Sequence, residues 1–195
     1  MRAQLLGKTP DELKEIALKA GLPAFAGKQL AQWLYVRKVR GIDEMTNISK
    51  VGRERLKEEY SLGLTLPSAC QVSSDGTKKY LFPVGEGNAV EAVMIPDEER
   101  KTLCVSSQAG CRMGCRFCMT GRQGFHGNLS TAEILSQFIG IDEAGGLTNA
   151  VFMGMGEPLD NLDNVLRAIE VLTADWGFGW SPKRITLSTI GVLPN

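Results

Sequence analysis

The chain has 195 residues, with 22 basic and 22 acidic side chains, so bulk charge gives no support for binding nucleic acid or a membrane surface. Hydrophobic residues make up 43% and charged residues 23%, ordinary values for a globular protein of one large domain or two small ones. There is no apolar run of about 18 residues and no secretory signal pattern, so a cytoplasmic protein without membrane partners is expected.

Residues 1–64 read as a small helical unit. Thr9-Pro10-Asp11-Glu12 supplies a capping threonine, a proline at the first helical position and a glutamate at the third, with Leu13, Ile16, Ala17 and Ala20 following at helical spacing and Gly21 ending the run. A second helix is expected from about Lys28 to Arg40, with Leu30, Trp33 and Leu34 on one side and Arg37, Lys38 and Arg40 at its end. That basic end is compatible with phosphate contact, but the pattern favours an amphipathic helix packed on a core. A third helix is expected over Ser49–Tyr60.

Residues 65–96 read as a β-hairpin linker. Thr77–Val84 and Ala89–Ile95 flank the turn-rich Gly85-Glu86-Gly87-Asn88. Glu91 is the only polar residue of its strand. With both strand faces covered it would sit in an apolar setting that raises its pKa, making it a candidate general acid or base. At an exposed edge it would instead pair with a nearby Lys or Arg.

Residues 97–195 read as α/β. Ser130 and Glu133 form a second capping box, opening a helix with Ile134, Leu135, Phe138 and Ile139 that stops at Gly145-Gly146. Asn149–Met153 is an apolar strand running into Gly154-Met155-Gly156-Glu157-Pro158, and Leu162, Val165, Leu166, Ile169 and Leu172 mark an amphipathic helix. Arg184–Thr189 is the next strand. This alternation predicts three parallel strands with two crossover helices, too few to close a barrel, which suggests a truncated sequence.

Four of the five cysteines fall between Cys104 and Cys118. An odd, clustered count suits metal-ligating thiols in a reducing compartment better than a disulfide framework. Cys111, Cys115 and Cys118, separated by three and then two residues, converge only if the backbone loops around something. Zinc would need a fourth ligand, and His126, the only histidine, lies outside the usual paired spacing. A four-iron cluster on three cysteines leaves one iron open to a small molecule, and the three-then-two spacing is the signature of enzymes that reductively cleave S-adenosylmethionine. Lys101, Arg112, Arg116 and Arg122, with no acidic residue from 101 to 130, give the loop a positive potential suited to an anionic ligand or substrate.

The sequence resembles the radical SAM rRNA/tRNA adenosine-C2 methyltransferase family, RlmN. The matching segments are Cys104-Val105-Ser106-Ser107-Gln108, Cys111–Cys118, Thr120-Gly121-Arg122-Gln123-Gly124-Phe125, Asn128-Leu129, Gly154-Met155-Gly156-Glu157-Pro158-Leu159 and Thr186-Leu187-Ser188-Thr189. The resemblance implies a partial (βα) radical SAM barrel, its first three strands, preceded by a helical accessory domain and the hairpin. It implies that Cys111, Cys115 and Cys118 ligate a 4Fe–4S cluster, and that Gly156, Glu157 and Ser188 contact S-adenosylmethionine.

It further implies methylation of carbon 2 of an adenosine in 23S rRNA and tRNA through a methylcysteine, with flavodoxin or ferredoxin as electron donor. Cys104 matches the cysteine that resolves a protein–RNA crosslink by forming a disulfide, and Glu91 matches the proton acceptor. The methyl-carrying cysteine is expected beyond residue 195, since none follows Cys118, so this chain alone is expected to be inactive. A C8-specific adenosine methyltransferase shares the same parts, although Gly121–Leu129 reads closer to the C2 enzymes. A zinc-stabilised RNA-binding module is the alternative from another class.

Overall fold

The computed structural model describes residues 2–85 and 87–192; Glu86, within the expected hairpin turn, lies outside the described residues. A short strand, β1 (Ala3–Gln4), precedes helix α1 (Pro10–Lys19). The Thr9 hydroxyl accepts the Glu12 N–H while the Glu12 carboxylate accepts the Thr9 N–H, closing the first capping box read from sequence.

Helix α2 (Ala26–Ala31) runs on as a π-helical turn over Gln32–Val36 and ends there, four residues short of Arg40. Lys38 breaks it by adopting a left-handed backbone, φ +52°. The basic end expected of this helix is instead turned onto aromatic rings. Arg37 stacks on Trp33 at 4.4 Å. Lys38 lies 4.3 Å from the Phe178 ring centroid and donates to the Ala144 carbonyl, joining the helical unit to the α/β part. Helix α3 (Lys50–Glu59), capped by the Ser49 hydroxyl on the Gly52 N–H, leads into β2 (Tyr60–Ser61), which pairs in parallel with β1.

Strands β3 (Ala69–Val72), β4 (Lys78–Val84) and β5 (Asn88–Asp97) form an antiparallel meander. The meander does not stop at the hairpin, because β5 also pairs antiparallel with β6 (Arg100–Cys104). Then come β7 (Gln108–Gly110), the one-turn helix α4 (Met119–Arg122) and β8 (Phe125–Asn128), with β7 and β8 pairing around the cysteine loop. Helix α5 (Thr131–Ile139), strand β9 (Asn149–Phe152), helix α6 (Leu162–Thr173) and strand β10 (Ile185–Leu187) complete the described chain.

Six strands share one sheet in the order β10-β9-β6-β5-β4-β3. Within it β6, β9 and β10 are parallel, with α5 and α6 as their crossovers; the count matches the alternating pattern, although β6 was not among the strands it located. The sheet remains open, with β10 and β3 at its edges.

Alternation decides which face is buried. Phe82, Val90, Ala92, Met94, Leu103, Ala150 and Phe152 are buried on one face, while Leu81, Glu91 and Ile95 point outward. Helix α5 is buried nearly all round, and its Phe138 meets Phe178 and Trp180 edge-on at 6.3 and 6.1 Å. One continuous core joins the helical unit to the sheet.

Candidate cofactor cavity

The cysteine loop is shaped by backbone constraints at its entrance. Gly110 has φ +72°, and a β-carbon there would lie 1.8 Å from the Gly124 carbonyl oxygen, so only glycine fits. This close approach lets the Cys111 N–H donate to that same oxygen at 2.9 Å, fixing the start of the loop against its end. The Cys118 N–H closes a turn onto the Cys115 carbonyl at 3.0 Å. The N–H of Gly121, together with the N–H and hydroxyl of Thr120, holds the Cys118 thiol below its usual pKa and favours the thiolate a metal needs.

Cys111, Cys115 and Cys118 line one cavity of about 370 Å³. Gly156, Glu157 and Ser188, just beyond the C-terminal ends of β9 and β10, line the same cavity. The six residues expected from sequence to hold a cluster and its ligand therefore meet at one place, at the strand ends where open α/β sheets bind ligands. Glu157 is buried, and its carboxylate accepts from the Leu159 N–H at 3.0 Å, the Ile190 N–H at 3.1 Å and the Thr189 hydroxyl. It thereby ties the segment after β10 to the turn after β9. Thr189 stands in the sequence reading only as the end of a matching segment and Ile190 not at all, since their contact is with Glu157, over 30 residues earlier in the chain.

Glu91 and Cys104 lie elsewhere. Glu91 is on the outward face of β5, its side chain 47% exposed, and pairs with Lys79 at 3.0 Å. The apolar setting considered for it is thus absent, because no described element covers that face; the charge-paired alternative is what the structure shows. With Lys79 and Leu81 it borders a separate depression of about 100 Å³. Cys104 is half-buried opposite Val93 on the same outward face. Burial pushes its thiol pKa up, and the Met153 N–H only partly offsets this, so the thiol is held in its protonated form. Met153 itself lines the cysteine cavity, which places Cys104 next to that cavity although not in its wall.

Among the described residues no group of three His, Cys, Asp or Glu side chains is arranged to hold a single metal ion. His126, the fourth ligand zinc would use, contacts the Gln123 carbonyl at 3.0 Å and is not part of the cavity wall. All five cysteines are free. Among the described residues no helix is long and apolar enough to cross a membrane.

Residues 105–195 match the model of the radical SAM superfamily, placing the cavity and its strands in that class. Residues 3–62 match the model of the ribosomal RNA large subunit methyltransferase N-terminal domain. A probable dual-specificity RNA methyltransferase RlmN of Porphyromonas gingivalis is 63% identical over 96% of this chain and 55% of its own length. The dual-specificity RNA methyltransferase RlmN of Geobacter sulfurreducens is 45% identical over 96% of this chain and 52% of its own. The crystal structure of a radical SAM methyltransferase from Sphaerobacter thermophilus aligns with a TM-score of 0.90 at 35% identity, covering 97% of this chain and 57% of that one. Over nearly its whole length the chain is similar to proteins named RlmN, and it spans about half the length of the curated relatives it matches.

Proposed function

We propose that this chain carries the cofactor-binding half of a radical SAM RNA methyltransferase that methylates carbon 2 of adenosine in 23S rRNA and tRNA. The observation that carries the reading is the shared cavity of about 370 Å³, lined both by Cys111, Cys115 and Cys118 and by Gly156, Glu157 and Ser188. In this reading Cys111, Cys115 and Cys118 hold a 4Fe–4S cluster. Bound together, the cluster and S-adenosylmethionine supply one-electron cleavage of a carbon–sulfur bond, which an unactivated ring carbon requires.

The protein's own groups do the rest. Gly156, which packs without a side chain on Gln108, holds the turn whose backbone would face the methionine part of the ligand, and Glu157 and Ser188 offer it a carboxylate and a hydroxyl. Cys104, protonated at rest, must lose its proton before its sulfur can attack the sulfur of the methyl-carrying cysteine, forming the disulfide as the carbon–sulfur bond to the RNA adduct breaks and its electron pair leaves with the carbon. Glu91 accepts a proton from the open face of the sheet, where an RNA base can reach it. Cys118 is the last cysteine in the chain, so the methyl-carrying cysteine of the cycle is not among these 195 residues.

We divide the chain into a helical accessory domain at 1–64, a hairpin linker at 65–96 and the radical SAM core from 97. The proposed partners are RNA and a small electron-transfer protein such as flavodoxin or ferredoxin, in a cytoplasmic setting. Anaerobic reconstitution with iron and sulfide tests the cofactor assignment. Thiolate–iron charge-transfer colour is expected, and one bound zinc with no iron would overturn it.

A further inference from the structure

Gln108 is fully buried on β7, between the cysteine loop and the β9–α6 turn. Both ends of its amide are used. Its Oε1 accepts the Glu157 N–H at 2.9 Å. Its Nε2 donates to Asn128 Oδ1 on β8 and to Asp160 Oδ2, each at 2.7 Å. The turn packs directly on this side chain: Gly156 has φ +98°, and a β-carbon there would lie 2.5 Å from the Gln108 β-carbon.

Asp160 extends the chain of contacts. The same Oδ2 that receives the Gln108 amide also receives Arg112 Nε at 2.9 Å. Arg112 directly follows Cys111, and its guanidinium lies 3.9 Å from the Phe125 ring centroid on β8, which fixes its plane. A continuous path therefore runs from Cys111 through Arg112, Asp160 and Gln108 to the backbone of Gly156-Glu157. It joins the loop that bears Cys111 to the turn that bears Gly156 and Glu157, and both line the cavity. A buried amide satisfied at both ends is a rigid spacer, because losing either contact leaves an unpaired polar group out of water.

We propose that Gln108 and Asp160 are positioning residues that set the separation between the cluster ligands and the Gly156–Glu157 turn. They act on how well the open iron and that turn engage S-adenosylmethionine together, and not on whether iron is held. The proposal rests on the cofactor reading above. Loss of a partner one layer behind a metal site's ligands typically costs about 10- to 100-fold in metal affinity or activity, and a loss of that size is expected here in S-adenosylmethionine affinity.

The test uses the reconstituted protein and reads three quantities: iron per chain, the EPR spectrum of the reduced cluster, and the S-adenosylmethionine concentration that half-converts that spectrum. Asp160→Ala is expected to keep full iron but to need about tenfold more S-adenosylmethionine or beyond. Asp160→Asn keeps an oxygen for both Gln108 and Arg112 and is expected to restore near-native binding. Arg112→Ala, at a half-exposed side chain that puts folding at little risk, removes the link to Cys111 together with the stacking on Phe125, leaves the Gln108–Asp160 contact in place, and is expected to weaken binding by a smaller factor. Unchanged S-adenosylmethionine binding in both alanine variants would overturn the proposal. If Asp160→Ala does not fold, Arg112→Ala alone decides. Failure of the unsubstituted protein to take up iron would instead sink the cofactor reading, a result distinct from either.

Discussion

Six of the eight residues singled out from sequence meet at the strand ends, whereas Glu91 and Cys104 sit on the sheet's open face. The two groups are held differently. The cavity side is fixed by backbone: Gly110 and Gly156 permit approaches that no side chain could share, and Glu157 is buried with three donors on its carboxylate. The face side is held loosely, by a half-exposed ion pair between Glu91 and Lys79 and by cross-strand neighbours. Cofactor ligands need fixed separations, while groups that meet a large substrate need access. Rigid backbone in one place and an open face in the other suit those two requirements.

The comparison breaks most readily at the cysteines. Cys111→Ala is expected to abolish iron uptake, while Cys104→Ala retains it in full; iron and sulfide analysis after reconstitution checks both, and loss of iron in Cys104→Ala would erase the distinction. Next comes Gly156→Ala, where φ +98° and the 2.5 Å approach to Gln108 require the turn to move. It should lower thermal stability and prevent the EPR change on adding S-adenosylmethionine.

Burial sets the following pair. Leu103→Ala, on the covered face of β6 and fully buried, should cost about 2–5 kcal/mol in urea unfolding. Glu91→Gln, on the open face, should cost less than about 1 kcal/mol and leave iron content unchanged. A large loss in Glu91→Gln would mean that the face is not open in solution.

The smallest effect is electrostatic. Burial pushes the Glu143 carboxyl up, but hydrogen bonds from Lys78 and Tyr80 outweigh it, so the group sits below its usual 4.5. A carboxylate with a depressed folded pKa stabilises the fold above its ordinary value, and that contribution is lost as pH falls below about 4.5. Glu143→Gln should therefore flatten the acid side of the stability–pH curve and leave the neutral region's slope unchanged.

What the sequence made legible was local or strictly patterned. Both capping boxes formed as read because every partner lies within three residues. Strands β9 and β10 followed from apolar runs alternating with clean helices, whereas their parallel partner β6, Arg100-Lys101-Thr102-Leu103-Cys104, carries no apolar run to mark it. The second helix was read too long because its end is set by Lys38, whose contacts come from Ala144 and Phe178, over 100 residues away. Strands β7 and β8 escaped notice because they are short and glycine-bearing, with no alternation to detect. Glu91 was ambiguous for a related reason: its neighbours on β5 show that one strand is apolar, but not which face the rest of the fold covers.

The most direct test of the account is metal content with cluster spectroscopy on the anaerobically reconstituted protein, beside its Cys111→Ala, Cys115→Ala and Cys118→Ala variants. The account predicts about four irons per chain, bound with matching sulfide in the unsubstituted protein and lost in each variant. Stoichiometric zinc without iron, or iron retained in all three variants, would contradict it.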